Sequence, residues 1–437
     1  MLSKKQLHLL IYVFSIPFCS CILFSNVKNS NSQKIIYSYN KDINFYNIDE
    51  KMVQHSTNQA IFEADSILFE IINTQDSLRT FDNTLLKLDN LYNILSNTWS
   101  PLELLRLVHP NDKIRNKSSE SIIVFQKYLT KLSTNRNLFN SIKSFSNQIE
   151  AKELPGNKMR FLNSELRDFK HSGLLLKNKK LNKLIELQNL NSELILKFEE
   201  NIIKNNDTLF LEKKHLKGLP ADYIESHIFD KNKYAINLSY PSYYPFMTYA
   251  ESDSLRKLLH YKFYNRGMPQ NKKLLKKILM NRKNIAQILG YESYADLIIT
   301  NSMAKNKINV YEFEYDLLNK ISQKAVKDRQ ELIDLKKSKY NSTDKSVEIH
   351  SWDKYFYENK LLINDYSVDS ELVKKYFELD NVISGLFEIS KILFDIQIIE
   401  VKNPSVWHND VKMYKVLDNN KLIAKFYLDL FPRKNKY

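Results

Sequence analysis

The sequence has 437 residues, which is room for about two or three domains. Hydrophobic residues make up 43% and charged residues 26%, a composition that excludes a disordered chain and permits a sizeable core. Because the chain has only 6 glycines and 10 prolines, an all-β protein with many tight turns is disfavoured, and long helices are expected.

The formal net charge of +15 allows two interpretations. One is an acidic partner such as nucleic acid or an anionic membrane. The other is a general abundance of lysine, as in proteins from AT-rich genomes. Lysines are spread along the chain, often beside Glu or Asp, without an Arg-rich stripe. We therefore favour the second interpretation and expect no nucleic-acid partner.

Residues 1–24 resemble an export signal. Two lysines form a basic start, and residues 9–18 are apolar but short for a bilayer span. Cys21 is the lipidation candidate, because its surroundings are similar to a lipoprotein cleavage site. Phe18, three positions earlier, fits that site poorly, so plain signal cleavage and an uncleaved anchor are alternatives.

We accordingly expect an exported protein, either periplasmic or a lipoprotein anchored to the membrane through its N-terminus. Residues 25–48 are expected to be a polar tether. The two cysteines are Cys19 and Cys21. The rest of the sequence therefore has no intramolecular disulfide, thiolate metal site or cysteine nucleophile.

Helical periodicity begins at about residue 50. In the segment 181–203, apolar residues recur at steps of three and four and predict an amphipathic helix facing a core. These residues are Leu184, Leu187, Leu190, Leu194, Phe198 and Ile202. Gly173 suits the end of a preceding helix over 159–170. The Tyr-rich stretch around Pro241 and Pro245 is expected to be extended or looped.

A second amphipathic helix is predicted over 271–289, followed by Gly290 as a C-terminal cap that can adopt positive φ. Ser293 then opens another helix, with Asp296 three residues on as a capping-box acid. Asn309 is expected to cap a longer helix whose apolar residues include Val310, Phe313, Leu317, Ile321, Leu332 and Leu335.

The end of the chain changes to a period of two. Residues 422–431 alternate as a strand does, Val411 and Met413 indicate a partner strand, and Asp418-Asn419-Asn420 supplies turn chemistry between them. The result is a small β-hairpin near the C-terminus. Because an isolated hairpin is marginal, we expect it to belong to a sheet whose other strands lie beyond this chain.

Residue chemistry alone reveals no catalytic constellation. None of the nine histidines lies in H-E-x-x-H or H-x-x-E-H. His215 and His227 are twelve residues apart and could share a metal only through tertiary contact. No phosphate-binding loop, dinucleotide motif or nucleophile elbow is present. Glu199-Glu200 is expected to lie on a solvated face, and the Tyr-rich stretch to pack on helices without stacking on nucleotides.

The segment 271–305 resembles the start of the catalytic region in the thimet oligopeptidase, oligopeptidase A and dipeptidyl carboxypeptidase family of zinc metallopeptidases. There a helix ends in R-x-x-x-A-x-L-L-G-Y, followed by N-Y-A and a short M-A. The matching residues are Arg282, Ala286, Leu289, Gly290, Tyr291, Tyr294, Ala295, Met303 and Ala304. Ser293 and Ile288 replace the usual Asn and Leu and keep their roles as cap and core residue.

Further segments are similar to family motifs in the family's order over roughly residues 105–433. They include the L-x-G-L-P motif at 216–220, W-D at 352–353, V-W-H-x-D-V at 406–411 and F-Y-x-D-L-Y-P-R at 426–433. Each motif is weak alone, but the ordered set is specific.

The resemblance implies a mainly α, two-lobed helical oligopeptidase fold around a deep channel that admits short peptides. It implies an N-terminal helical domain at 49–235 and, at 236–437, the start of the metallopeptidase catalytic domain. Its cofactor is one zinc ion, which activates water, and its substrates are oligopeptides. The zinc motif H-E-F-G-H follows the Y-P-R segment in the family, so those ligands would lie beyond Tyr437.

No catalytic or metal-binding residue can therefore be assigned in this sequence, and its substrate-binding residues are unknown. His408 matches a family position that is not a zinc ligand, and we expect it to have a structural role. The expected function is that of the N-terminal portion of an exported zinc-dependent oligopeptidase, either a metalloendopeptidase or a peptidyl-dipeptidase, inactive without its C-terminal catalytic segment. A non-catalytic helical peptide-binding or relic protein and a nucleic-acid binder are the alternatives.

Overall fold

The computed structural model describes residues 43–340, 344, 346–433 and 436. The predicted export signal at 1–24, the lipidation candidate Cys21 and most of the expected tether lie outside the described residues. No helix in the part of the chain that the structure describes is long and apolar enough to cross a membrane.

The N-terminal part of the described chain is helical, which confirms the prediction of a mainly α protein. Asp49, Asn111 and Asn135 cap three of its helices by accepting hydrogen bonds from backbone N–H groups of the first turn. Its helices are α1 Glu50–Asn73, α2 Lys87–Val108, α3 Asp112–Ser133, α4 Arg136–Ser146, α5 Ile149–Lys152, α6 Gly156–His171 and α7 Asn178–Ile203.

A three-stranded antiparallel sheet follows, which the sequence patterns did not reveal. Its strands are β1 Thr208–Leu211, β2 Ile228–Asp230 and β3 Lys233–Asn237, in the order β1-β3-β2, with α8 Ala221–Ser226 between the first two. The strands have three to five residues each. Such lengths give too few alternations for the periodicity to be recognised.

The expectation of an extended or looped stretch around Pro241 and Pro245 was wrong. The residues form helix α9 Tyr240–Tyr249. Pro241 occupies the first turn, where a backbone N–H would have no helical partner, so proline is tolerated there. Pro245 removes one internal hydrogen bond, and burial of Tyr243, Phe246 and Met247 accompanies the helical conformation.

The remaining helices are α10 Asp253–Tyr264, α11 Gln270–Leu289, α12 Tyr294–Ile299, α13 Lys307–Lys339, α14 Lys354–Tyr366, α15 Ser370–Val373 and α16 Leu379–Phe394. The predicted helix over 271–289 is confirmed, and Gly290 ends it with φ of 85°. Ser293 caps α12 as predicted. The expected cap of α13 was Asn309, but the cap is Asn306, three residues earlier. The Asn306 side chain accepts a hydrogen bond from the backbone N–H of Asn309.

The C-terminal hairpin is confirmed, within a sheet of three antiparallel strands. The strands are β4 Ile396–Glu400, β5 Lys412–Asp418 and β6 Lys421–Leu428, in the order β4-β5-β6. Asn419 and Asn420 form the turn with φ of 46° and 62°, a conformation that Asn tolerates well. The expectation that every further strand lies beyond this chain was wrong, because β4 precedes the hairpin.

The largest hydrophobic core joins the two ends of the described chain. Helices α1 to α6 supply most of it, but Val406, Trp407 and Val411 from the segment before β5 are part of the same cluster. Phe45, in the last part of the expected tether, is 3% exposed and belongs to it too. The proposed domain boundary at 235/236 stays a prediction.

Smaller clusters connect neighbouring elements. Ile236 and Phe246 belong to a cluster of buried residues that joins the first sheet to α9 and α10. Leu184 of α7 packs with Ile285 of α11. Leu332 of α13 packs with Phe356 of α14. In α13 only Leu332 and Ile333 are buried, and α16 has no buried residue.

Candidate functional site

His215 and His227 contact groups within fifteen residues of each along the chain. His227 accepts or donates through Nε2 to the Ser242 hydroxyl at 2.9 Å, and His215 Nδ1 accepts from the backbone N–H of Glu212 at 3.3 Å. Burial lowers the pKa of His227. In the range that the structure describes, no group of three or more His, Cys, Asp or Glu side chains could hold a metal ion. These residues do not fit a zinc site.

His260 bridges two parts of the chain. Its Nδ1 lies 3.0 Å from the hydroxyl of Tyr243 on α9, and its Nε2 lies 2.9 Å from the hydroxyl of Ser351. Burial lowers the pKa of His260. The contacts tie the segment before α14 to α9 and α10, a tertiary relation that spacing in the sequence did not indicate.

The tryptophan–aspartate motif at 352–353 forms a buried ionic cluster. Asp353 accepts hydrogen bonds from Arg256 at 2.9 Å and from Lys336 at 2.7 Å, and the Trp352 carbonyl accepts from Arg256 at 3.3 Å. Burial alone would raise the pKa of Asp353, but hydrogen bonds with Asp253, Lys336 and other neighbours hold it below its ordinary value. The motif therefore connects α10, α13 and α14.

Asp429 connects two other family-like motifs to the N-terminal helices. It accepts hydrogen bonds from the Trp407 indole at 2.9 Å and from both terminal nitrogens of Arg433 at 2.6 and 2.8 Å. Although burial acts in the opposite direction, hydrogen bonds from Arg433, Trp407 and Lys436 lower the pKa of Asp429 to about 2. Arg433 also donates to the carbonyl of Val108 at the end of α2.

His408, for which a structural role is expected, lies between Trp407 and β5. Its Nδ1 accepts from the backbone N–H of Asp410 at 3.3 Å and lies 3.5 Å from the Asp410 carboxylate. These contacts keep the ring on the loop that leads into the second sheet.

The residues of the helix-end signature also position α11. The Tyr291 hydroxyl lies 2.9 Å from His171 Nδ1, at the end of α6. The Arg282 guanidinium lies over the Tyr294 ring at 5.1 Å from its centroid. The signature thus fixes α11 against α6 and α12.

Gly218, in the L-x-G-L-P segment, meets a specific steric requirement. Its φ is +90°, and a Cβ there would lie 2.4 Å from the carbonyl oxygen of Tyr249. Only glycine allows the chain to pass this close to the end of α9.

Many apolar side chains are exposed on α13, α15 and α16, in the second sheet and in the segments that follow α15 and β6. In the N-terminal half of α13, most of the apolar residues are exposed; Phe313 is 67% exposed. In α16, Ile392 is 74% and Phe394 is 67% exposed. We call this the C-terminal apolar surface; its members are Phe313, Leu317, Ile321, Leu372, Tyr376, Leu386, Ile389, Ile392, Leu393, Phe394, Ile399 and Phe431. Exposed apolar side chains in such number are typical of interaction surfaces.

Comparisons with known proteins agree with the motifs. Residues 246–437 match the model of Peptidase family M3. The chain is 31% identical over 387 residues to the "Thimet-like oligopeptidase" of Dictyostelium discoideum, which covers 85% of the chain and 58% of that relative. It is 29% identical to "Oligopeptidase A" of Haemophilus influenzae, over 82% of the chain and 54% of the relative. It is 27% identical to "Oligopeptidase A" of Escherichia coli, over 84% of the chain and 56% of that relative.

These matches agree with the mainly helical fold and with the ordered motifs. The family model over residues 246–437 and these relatives support the assignment to peptidase family M3 that the motifs indicated. It spans somewhat more than half the length of these curated relatives.

Proposed function

We propose that this chain is the N-terminal part of a zinc-dependent oligopeptidase that hydrolyses short peptides. The observation that carries the proposal is the match of residues 246–437 to peptidase family M3. The helical elements would form one wall of a channel that excludes folded proteins, and α16 with the second sheet would lie beside the reacting centre.

The zinc ligands, in this proposal, come from polypeptide other than these 437 residues. Its support is the sequence, which lacks H-E-x-x-H, and the arrangement of the described side chains, which does not fit a zinc site. Zinc held by such ligands would supply an activated water. The described residues would hold the channel wall and position the sheet through Asp429 and Trp407.

In this proposal, the additional polypeptide packs on the C-terminal apolar surface. Burial of side chains such as Ile389, Ile392 and Phe394 would stabilise the assembly by roughly 1.5–3 kcal/mol each. Two changes, Ile389→Lys and Leu393→Lys, should prevent assembly while leaving the described cores intact. The matched control is Val124→Lys on α3, which is exposed to 39% on the N-terminal part.

The first experiment compares two proteins in a fluorogenic oligopeptide assay. One consists of these 437 residues, and the other is the product of the gene read through any downstream sequence that encodes H-E-x-x-H. We expect hydrolysis by the second alone, its loss with a chelator, and its return with zinc. Chelator-sensitive hydrolysis by the 437 residues alone would disprove the proposal that the zinc ligands come from additional polypeptide.

The non-catalytic alternative makes a different prediction for the same assay. A peptide-binding or relic protein would retain labelled peptide without cleaving it, and no downstream H-E-x-x-H would be found. Mass spectrometry of the products separates the two catalytic variants, because a peptidyl-dipeptidase releases C-terminal dipeptides and an endopeptidase cleaves internally.

Export is part of the proposal, with the N-terminus as a membrane tether where Cys21 is lipidated. Cell fractionation of the intact chain and of Cys21→Ser tests it. We expect both proteins outside the cytoplasm, with membrane attachment weakened in the variant. Recovery of both in the cytoplasm would refute export.

A further inference from the structure

Helix α11 has a charge pattern unlike that of its neighbour. Its twenty residues include five lysines and Arg282 but no Asp or Glu. Helix α7, which packs along it, carries four Lys and four Glu and is balanced. The charge of α11 is therefore a local property and differs from the general spread of lysine along the chain.

The five lysines are exposed. They are Lys272, Lys273, Lys276, Lys277 and Lys283. No ion pair joins any of them to an acidic side chain of residues 43–340, 344, 346–433 or 436. On α13, by contrast, Lys320 pairs with Asp316 and Lys324 with Asp328.

Apolar side chains lie among the lysines on the same face. At 3.6 residues per turn, Lys272, Lys276 and Lys283 lie close together along the helix, with Leu279 on one side and Met280 on the other. Leu279 is 57% and Met280 is 54% exposed, and Leu275, one turn before Leu279, is 46% exposed. Ile278 and Ile285 on the opposite face are buried, so this mixed basic and apolar face is turned to solvent.

We propose that this face of α11, which we call the basic α11 face, binds the surface of an anionic lipid membrane. Lysines attract the charged headgroups, and Leu275, Leu279 and Met280 can enter the boundary between headgroups and acyl chains. A basic face works as a second attachment beside one lipid chain or apolar segment, since a single acyl chain binds membranes only marginally.

The composition favours a membrane over a nucleic acid. Nucleic-acid surfaces combine Lys and Arg with polar or aromatic side chains that contact bases and phosphates. The one arginine of α11, Arg282, is engaged with the Tyr294 ring, and aliphatic side chains separate the lysines. Aliphatic side chains gain nothing from a phosphate backbone but gain free energy in a lipid interface.

The experiment is co-sedimentation of the full chain, carrying Cys21→Ser to prevent lipidation, with two kinds of vesicle. One kind is phosphatidylcholine alone, which reports any binding by the apolar N-terminal segment, and the other also contains phosphatidylglycerol. We expect preference for the anionic vesicles, weakened by added salt. The triple variant Lys272→Gln, Lys276→Gln, Lys283→Gln should lose affinity by about fivefold per lysine, or about a hundredfold in all.

The matched control removes the same charge elsewhere, by Lys320→Gln, Lys324→Gln and Lys327→Gln on α13, and should change affinity little. Leu279→Asn keeps the charge of the face and should weaken vesicle binding by about tenfold without affecting binding to duplex DNA. Circular dichroism verifies that each variant is folded. Equal binding to both vesicles, an equal loss in the control variant, or an α11-dependent affinity for DNA alone would each overturn the proposal.

Discussion

Arg256 and Asp353 form an ion pair of 2.9 Å in which neither side chain has exposed surface. The residues are 97 positions apart, and Lys336 contacts the other carboxylate oxygen of Asp353. Removing Asp353 would leave the buried guanidinium of Arg256 with only the partly exposed carboxylate of Asp253 as an ionic partner.

We therefore expect Asp353→Ala to lower the free energy of unfolding by about 3–5 kcal/mol. Urea denaturation followed by circular dichroism measures it. The control is Lys320→Ala, which breaks an exposed pair with Asp316 and should cost no more than about 1 kcal/mol. Similar effects of the two changes would show that the buried cluster contributes little.

Glu165 on α6 should make stability depend on pH. Burial raises its pKa to about 7 from 4.5, and the charges of Asp168 and Asp89 act in the same direction, against the hydrogen bond from Tyr92. The folded state therefore binds more protons than the unfolded state between these pH values. Stability is then greatest below pH 4.5 and falls as the pH rises through about 7.

Glu165→Gln should remove that dependence and raise the stability by up to about 3 kcal/mol in mildly alkaline buffer, with little change in acid. Denaturation midpoints across a pH series measure the effect. Glu186→Gln, at a residue whose side chain is 67% exposed, is the control and should leave the pH profile unchanged. An unaltered profile in the Glu165 variant would contradict the assignment.

Phe45 should stabilise the junction between the start and the end of the described chain. Its ring lies 5.0 Å from the Trp407 ring and 5.9 Å from the Tyr427 ring, and its backbone N–H donates to Ser405 at 2.7 Å. We expect Phe45→Ala to cost about 3–5 kcal/mol. Thermal unfolding measures the loss; Phe62→Ala, at a side chain 72% exposed, should change it by less than about 0.5 kcal/mol.

Gly218→Ala should destabilise the protein by at least about 1–2 kcal/mol, because a side chain is strained at positive φ and its Cβ would overlap the Tyr249 carbonyl. Gly156→Ala is a matched control, since nothing lies within 4 Å of a Cβ there and its φ is not in the left-handed region. That change should be neutral or stabilising by about 0.4–1 kcal/mol. Thermal unfolding of both variants decides the matter, and equal melting temperatures would contradict the steric argument.

Patterns that repeat over several turns predicted structure well. The helix over 271–289 with Gly290 and the hairpin around Asn419-Asn420 were found where periodicity and turn chemistry placed them. Strands β1 to β3 were missed because they are short, and α9 was missed because proline in a first turn looks the same in sequence as proline in a loop.

The tertiary partners could not be predicted, because nothing local encodes them. Asp353 and Asp429 are both parts of recognisable motifs, yet their contacts with Arg256 and with Trp407 depend on segments that are distant in sequence or separated by turns. The exposed apolar residues of α13 illustrate the same limit. Their spacing indicates a face that is to be covered, but the spacing does not identify what covers it.

The packing of Trp407 beside Phe45 has a consequence for biosynthesis. The two residues lie in one hydrophobic cluster although some 360 positions separate Phe45 from its hydrogen-bond partner Ser405. On the ribosome, the early helices emerge long before the segment that completes their core. Part of their apolar surface therefore stays exposed until the segment around Trp407 has been synthesised. We expect chaperones to bind the nascent chain during this time.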